Sequence, residues 1–106
     1  ILKDIMTNIQ NKIIEYIKQV KKASEKTPVG YVDAYIEFLN RPELTAECDV
    51  ILINCYPFWE GADIKTAGFH LQEMYRKTLE VAQGKKVFIS ETGWPSKGEV
   101  NGEAIT

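Results

Sequence analysis

The sequence is poor in the residues that bind metals. It has one histidine and two cysteines, whereas a zinc site draws on three or four clustered nitrogen and sulfur ligands. No metal centre is expected, and no cofactor is implied. The cysteines, Cys48 and Cys55, are separated by mostly extended chain. Their separation is about 23 Å at ~3.3 Å per residue, while a disulfide needs Cα atoms within ~7 Å. Unless the segment between them bends sharply, both thiols are free, with Cys55 facing a helix as a small hydrophobe. No apolar run reaches the ~20 residues of a membrane-spanning helix. There is no excess of one charge: the formal net charge is −2, with acids and bases interspersed. That argues against a nucleic-acid footprint and against an anionic membrane partner. Lys21-Lys22 and Lys85-Lys86 read as solvated helix ends. No glycine-rich phosphate loop follows an apolar run, which weakens a nucleotide-binding reading. The N-terminus, Ile1-Leu2-Lys3-Asp4-Ile5-Met6, lacks the apolar core and small-residue cleavage site of a signal peptide. It starts without methionine in what reads as the middle of an element, as a piece of a longer chain would.

What is present is an ordinary globular balance. Of 106 residues, 44% are hydrophobic and 26% charged, enough for one domain with one modest core. Ile9, Ile13, Ile17 and Val20, flanked by Tyr16, recur at helical spacing and predict an amphipathic helix over 8–26, ended by Thr27-Pro28. A short strand over 29–35 follows. Residues 36–39 turn helically, and Pro42 opens a second short helical turn. Val50-Ile51-Leu52-Ile53 is an unbroken apolar run, as in a parallel strand buried on both faces. Asp63 is a candidate N-cap. Ile64, Ala67, Leu71, Met74, Tyr75, Thr78 and Ala82 trace one helical stripe down to Gly84, a candidate C-terminal cap. Val87-Phe88-Ile89 predicts a last buried strand.

The resulting order is α-β-α-β-α-β, with polar and aromatic residues gathered after each strand. This is the grammar of parallel βα units, in which function sits at the C-terminal strand ends. Two architectures use it, the doubly wound sheet and the eightfold barrel.

The most specific segment is Ser90-Glu91-Thr92-Gly93-Trp94-Pro95-Ser96. It ends an apolar strand in a carboxylate beside an indole, a layout suited to attack on an anomeric carbon with an apolar face for a pyranose ring. The segment resembles the nucleophile signature of glycoside hydrolase family 17, the β-1,3-glucanases and related glucanosyltransferases. The resemblance extends over nearly the whole chain, through Tyr31–Tyr35, Arg41-Pro42-Glu43-Leu44 and Asn54-x-Tyr56-Pro57-Phe58-Trp59. It implies an α/β fold, a partial (β/α)8 TIM barrel in which the three strands look like barrel strands five, six and seven. It implies that residues 1–106 form a single fragment of a glycosidase domain, since a full barrel takes ~250 residues.

The resemblance also implies roles. Glu91 would be the nucleophile of a retaining hydrolase acting on β-1,3-glucan. The family's acid/base Glu, expected after strand four, has no counterpart here, so the isolated chain would be inactive. Trp94 would be a sugar platform; its alternative is core packing. Asn54 and Tyr56 share one strand face by alternation and would donate hydrogen bonds at the cleft. Phe58, Trp59 and Glu60 lie further out, towards neighbouring glucose units, with packing of the loop onto the next helix the alternative for Phe58 and Trp59. Tyr31, Asp33 and Tyr35 share a face on the first strand. Asp33 would accept from glucose hydroxyls or, alternatively, cap the next turn; Tyr35 lies beside it. His70 reads as a surface or core-edge histidine. The partner is a β-glucan, and open sheet edges invite self-association or a complementing part of the barrel. The family is commonly secreted or cell-wall associated. The rival reading is a non-catalytic glucan-binding module.

Overall fold

The computed structural model describes residues 1–106. Helix α1 spans Leu2–Ser24. It begins earlier than the 8–26 expectation because Leu2–Thr7 contains no glycine or proline to break it. It ends two residues sooner because Glu25 adopts a φ of 48°, its N–H bonding back to the Lys21 carbonyl. Strand β1 is Gly30–Ala34, α2 Tyr35–Asn40 and α3 Pro42–Glu47, with Pro42 in the first turn. Strand β2 is Val50–Asn54. A 3-10 turn, Ile64–Thr66, capped by Asp63 through its bond from the Lys65 amide, leads into α4, Ala67–Val81. Strand β3 is Val87–Glu91.

The three strands are parallel and ordered β1-β2-β3. The helices all cover one face of this sheet. Ile51, Ile53 and Cys55 project from β2 and its exit into a core shared with Ile17 of α1, Phe38 of α2, Leu44 of α3 and Met74 of α4. Each large aliphatic side chain buried there contributes roughly 1.5–3 kcal/mol relative to exposure. Two threonines enter this core by returning their hydroxyls to backbone carbonyls. Thr45 Oγ1 donates to Phe38 O at 2.9 Å, and Thr78 Oγ1 to Met74 O at 2.8 Å. Both cysteines are free and buried. Burial pushes the Cys55 thiol up to about 11 and raises that of Cys48.

The other face carries no helix, and two expectations change accordingly. β2 was read as buried on both faces, but only Ile51 and Ile53 are fully buried, while Val50, Leu52 and Asn54 are half-buried. β3 was read as a buried strand, but only Val87 is buried, and Phe88 and Ile89 are 51% and 37% exposed. β3 has one strand neighbour, and Phe88 faces the uncovered side. The α4 stripe holds at Met74, Thr78 and Ala82. Ile64 drops out because it lies in the 3-10 turn, where it is exposed. His70 is exposed and packs edge-on against Phe69.

At the N-terminal end of the sheet, the β1 and β2 entries are tied together. The Asp49 amide donates to Val29 O at 2.7 Å, and the Val29 amide donates to Asp49 Oδ2 at 2.9 Å. The Val29 amide, helped by Lys21, holds the Asp49 carboxyl below the usual carboxylate range. The folded state therefore takes up this proton less readily than the unfolded chain. Its stabilisation is present above the ordinary aspartate pKa of about 3.9 and is lost as pH falls through the lower folded value. We expect the urea midpoint to fall on acidification below about pH 4. Asp49→Asn should flatten part of that fall, as measured by urea titrations across the acid range.

Candidate active site

Asn54 and Glu91 are the last residues of β2 and β3, and they stand opposite each other in the sheet. This is the end of a parallel sheet at which βα folds place chemistry. Simple alternation along β3 would send Glu91 to the helix-covered face with Val87 and Ile89. An irregularity prevents it. Ile51, Leu52 and Ile53 pair with Val87, Phe88 and Ile89, but Asn54 then pairs with Glu91, leaving Ser90 as the extra residue. A bulge of this kind re-aims the side chains that follow it. Glu91 turns to the uncovered face, where Asn54 and Tyr56 already lie.

Three contacts organise that face. The Tyr56 hydroxyl donates to Glu91 Oε1. Ser90 Oγ lies 3.0 Å from Asn54 Oδ1 and 3.1 Å from Ile53 O, sharing its proton between them. With its oxygen so engaged, Asn54 keeps its amide N–H groups for a ligand. Tyr35 Oη donates to Glu60 Oε1 at 2.9 Å. Tyr35, Asn54, Tyr56, Trp59 and Glu60 together line an open cleft of about 320 Å³. Two tyrosine–carboxylate pairs thus flank one groove, with the Glu91 pair at its strand end.

The electrostatics keep the tyrosines as donors. The bond to Glu91 raises the Tyr56 hydroxyl above its ordinary value. Burial, and then the bond to Glu60, pushes Tyr35 up to about 12. Each hydroxyl therefore stays protonated at neutral pH and offers its hydrogen to a carboxylate.

Not every residue expected at the cleft arrives there. Asp33 is in register with Ile53, so it lies on the helix-covered face. It accepts from Tyr31 Oη at 2.8 Å and from the Ala34 amide at 2.8 Å. It closes the turn into α2, and burial followed by the Asp33 bond pushes Tyr31 up to about 12. Tyr35 parts company with Asp33 because α2 starts at Tyr35 and ends the strand's alternation. Phe58 is 3% exposed and packs edge-to-face against Trp59 and Trp94, with ring centroids 5.1 and 5.3 Å away. Trp94 gives its indole N–H to Ile105 O at 2.8 Å and sits over the start of α4 with Ile64 and Leu71. For Phe58 this is the loop packing that was its alternative; Trp94 packs between loop and helix but is half-buried, outside the core. Trp59, which is 70% exposed, stands at the cleft instead. Ser90 was read only as part of the motif, and its hold on Asn54 follows from the bulge, which no spacing in the sequence announces.

A family model described as the BtgE/BtgC glycoside hydrolase domain matches residues 2–106. The chain is similar to the "Probable family 17 glucosidase SCW10" of Saccharomyces cerevisiae, 35% identical over 99 residues, which are 86% of this chain and 25% of that protein. It is similar to the "Probable glucan endo-1,3-beta-glucosidase eglC" of Aspergillus clavatus, 32% identical over 103 residues, 88% of this chain and 23% of that one. Its fold superposes on an active-site mutant of Rhizomucor miehei beta-1,3-glucanosyltransferase in complex with laminaritriose. The TM-score is 0.81 at 34% identity, over 91% of this chain and 36% of that structure. The chain thus spans 23% to 25% of the length of these curated relatives. Its three parallel strands and their helices are an α/β segment of a TIM barrel.

The Tyr56–Glu91 pair has a direct signature. In ¹³C-tyrosine NMR titrations of the chain, Glu91→Gln should lower the Tyr56 titration midpoint towards an ordinary tyrosine, since the charge that resists ionisation is gone. The Tyr35 resonance should titrate unchanged.

Proposed function

The chain belongs to glycoside hydrolase family 17, through its BtgE/BtgC domain, and on that premise we propose that it carries the nucleophile half of a retaining catalytic site for β-1,3-glucan. The observation that supports this reading best is the Tyr56 hydroxyl donating to Glu91 at the end of β3, beside Asn54. In the proposed reaction Glu91 attacks the anomeric carbon of a glucosyl unit. The bond from that carbon to the leaving oxygen breaks, and the leaving oxygen takes a proton from a general acid. Retaining glycosidases hold that acid ~5–5.5 Å from the nucleophile. Here we assign it to a carboxylate outside these 106 residues, on a part of the barrel that covers the open sheet face. The same group then activates the water, or the acceptor sugar, that releases the glucosyl unit from Glu91. Hydrolysis and glucanosyl transfer share every step up to that release.

Within this reading Asn54 offers its amide to a sugar hydroxyl, and Tyr56 fixes the attacking carboxylate. The Tyr35–Glu60 pair and Trp59 form the outer wall of the groove. The occupant is a β-linked glucan. Residues 1–106 act as one piece of a larger barrel domain.

The purified 106-residue chain should release no reducing sugar from a soluble β-1,3-glucan. Turnover that Glu91→Gln abolishes would overturn this assignment of the acid. In a longer protein carrying the chain, Glu91→Gln should lower kcat by at least about three orders of magnitude, the scale seen when a covalent catalyst is removed. KM should change little.

A further inference from the structure

The groove wall is not held by its own loop alone. Residues 56–62 fold as successive tight turns, with the Trp59, Glu60 and Gly61 amides bonding to the carbonyls of Tyr56, Pro57 and Phe58. Trp59 and Glu60 themselves belong to no helix or strand. A second tight turn, residues 101–104, grips this one from outside. Asn101 and Ala104 bond reciprocally through their backbones at 2.9 Å. Asn101 Nδ2 donates to Phe58 O at 2.7 Å, and the Glu103 amide donates to Gly61 O at 3.0 Å. The residues gripped thus lie on either side of Trp59 and Glu60.

The fit between the two turns is close. Gly61 and Gly102 meet backbone to backbone, with φ of 74° and 61°. A Cβ on Gly102 would lie 3.0 Å from Gly61 Cα and 3.2 Å from Gly61 O, neither of which has side-chain freedom to yield. Both the dihedral angle and the contact demand glycine there. At the end of the turn the Ala104 side chain is fully buried. The next residue, Ile105, accepts the Trp94 indole N–H, which links the clasp to the loop that follows Glu91.

The geometry points to Asn101 and Gly102 as positioning residues for the cleft: the 101–104 turn sets the Phe58–Gly61 loop, and with it the reach of Glu60 to Tyr35 and the stance of Trp59. This inference rests on the proposed function for its catalytic consequence, but its structural core does not. The mechanical route is short. Asn101 holds the carbonyl of Phe58, whose ring is buried, and the next two residues present the indole and the carboxylate to the groove.

The test uses two variants and two readouts. Asn101→Ala removes the side-chain donor, and Gly102→Ala sets a methyl group against Gly61. Far-UV circular dichroism of each should match the parent. In ¹³C-tyrosine NMR of the chain, both variants should lower the Tyr35 titration midpoint, because Glu60 no longer holds the hydroxyl. Tyr56 should titrate as before. A Tyr35 midpoint unchanged in both folded variants overturns the inference, whatever the activity of the protein proves to be. In a longer, active protein, Asn101→Ala should raise KM for a β-1,3-linked oligosaccharide about tenfold, the scale of one lost hydrogen bond. kcat should stay within about twofold, and Asn101→Gln should restore part of KM. Equal losses in kcat for Asn101→Ala and Asn101→Gln with KM unmoved would likewise overturn it. Failure of the proposed function would instead show as an inactive protein with the Tyr35 shift intact.

Discussion

Strand β2 is the member on which the arrangement depends, because β1 and β3 hydrogen-bond to it and not to each other. Its alternation sorts the molecule into two sides. Ile51, Ile53 and Cys55 gather the helices on one side, and Leu52, Asn54 and Tyr56 form the other. Burial of the first set supplies the driving force for collapse. The second set is placed by that collapse without contributing much to it. Position at the cleft is therefore inherited from the core, and a change that rotated β2 by one residue would exchange the two sets.

The bulge at Ser90 is the exception that the chemistry requires. A regular β3 would commit Glu91 to the face covered by α4. The extra residue returns it to Asn54, at the cost of interrupting the ladder for one position. Ser90 offsets part of that interruption by bonding the Ile53 carbonyl and the Asn54 side chain. The same residue that breaks the pairing thus fixes the amide beside the carboxylate.

Much of this was legible in the sequence. The helix spacing of Ile13 and Ile17 and the apolar run at 50–53 are local signals, and the elements follow them closely. Parallel pairing was legible as well, since helices separate the strands. What could not be read is what depends on partners distant along the chain. The exposure of Phe88 reflects the absence of a covering layer on one sheet face, which no periodicity encodes. Tyr35 does not share the face of Asp33 because strand alternation was carried through Tyr35, where the backbone has already become helical, and Asp33 faces the helices because its register partner is Ile53. Trp94 and Phe58 are aromatic residues in a polar loop, and sequence alone does not say whether such rings face a ligand or each other. Asn101 carries no local signal at all, because its partner lies more than forty residues away.

The two thiols have a different consequence. Cys48 is 1% exposed and Cys55 not at all, and burial keeps both protonated. A thiol reacts as its thiolate and only where a reagent can reach it. While the chain is folded, neither sulfur is available for exchange with an oxidant or with another protein. Once it unfolds, both become available together. Labelling of these cysteines therefore counts unfolded molecules, and in an oxidising compartment the interval for a wrong cross-link closes when β2 docks against its helices.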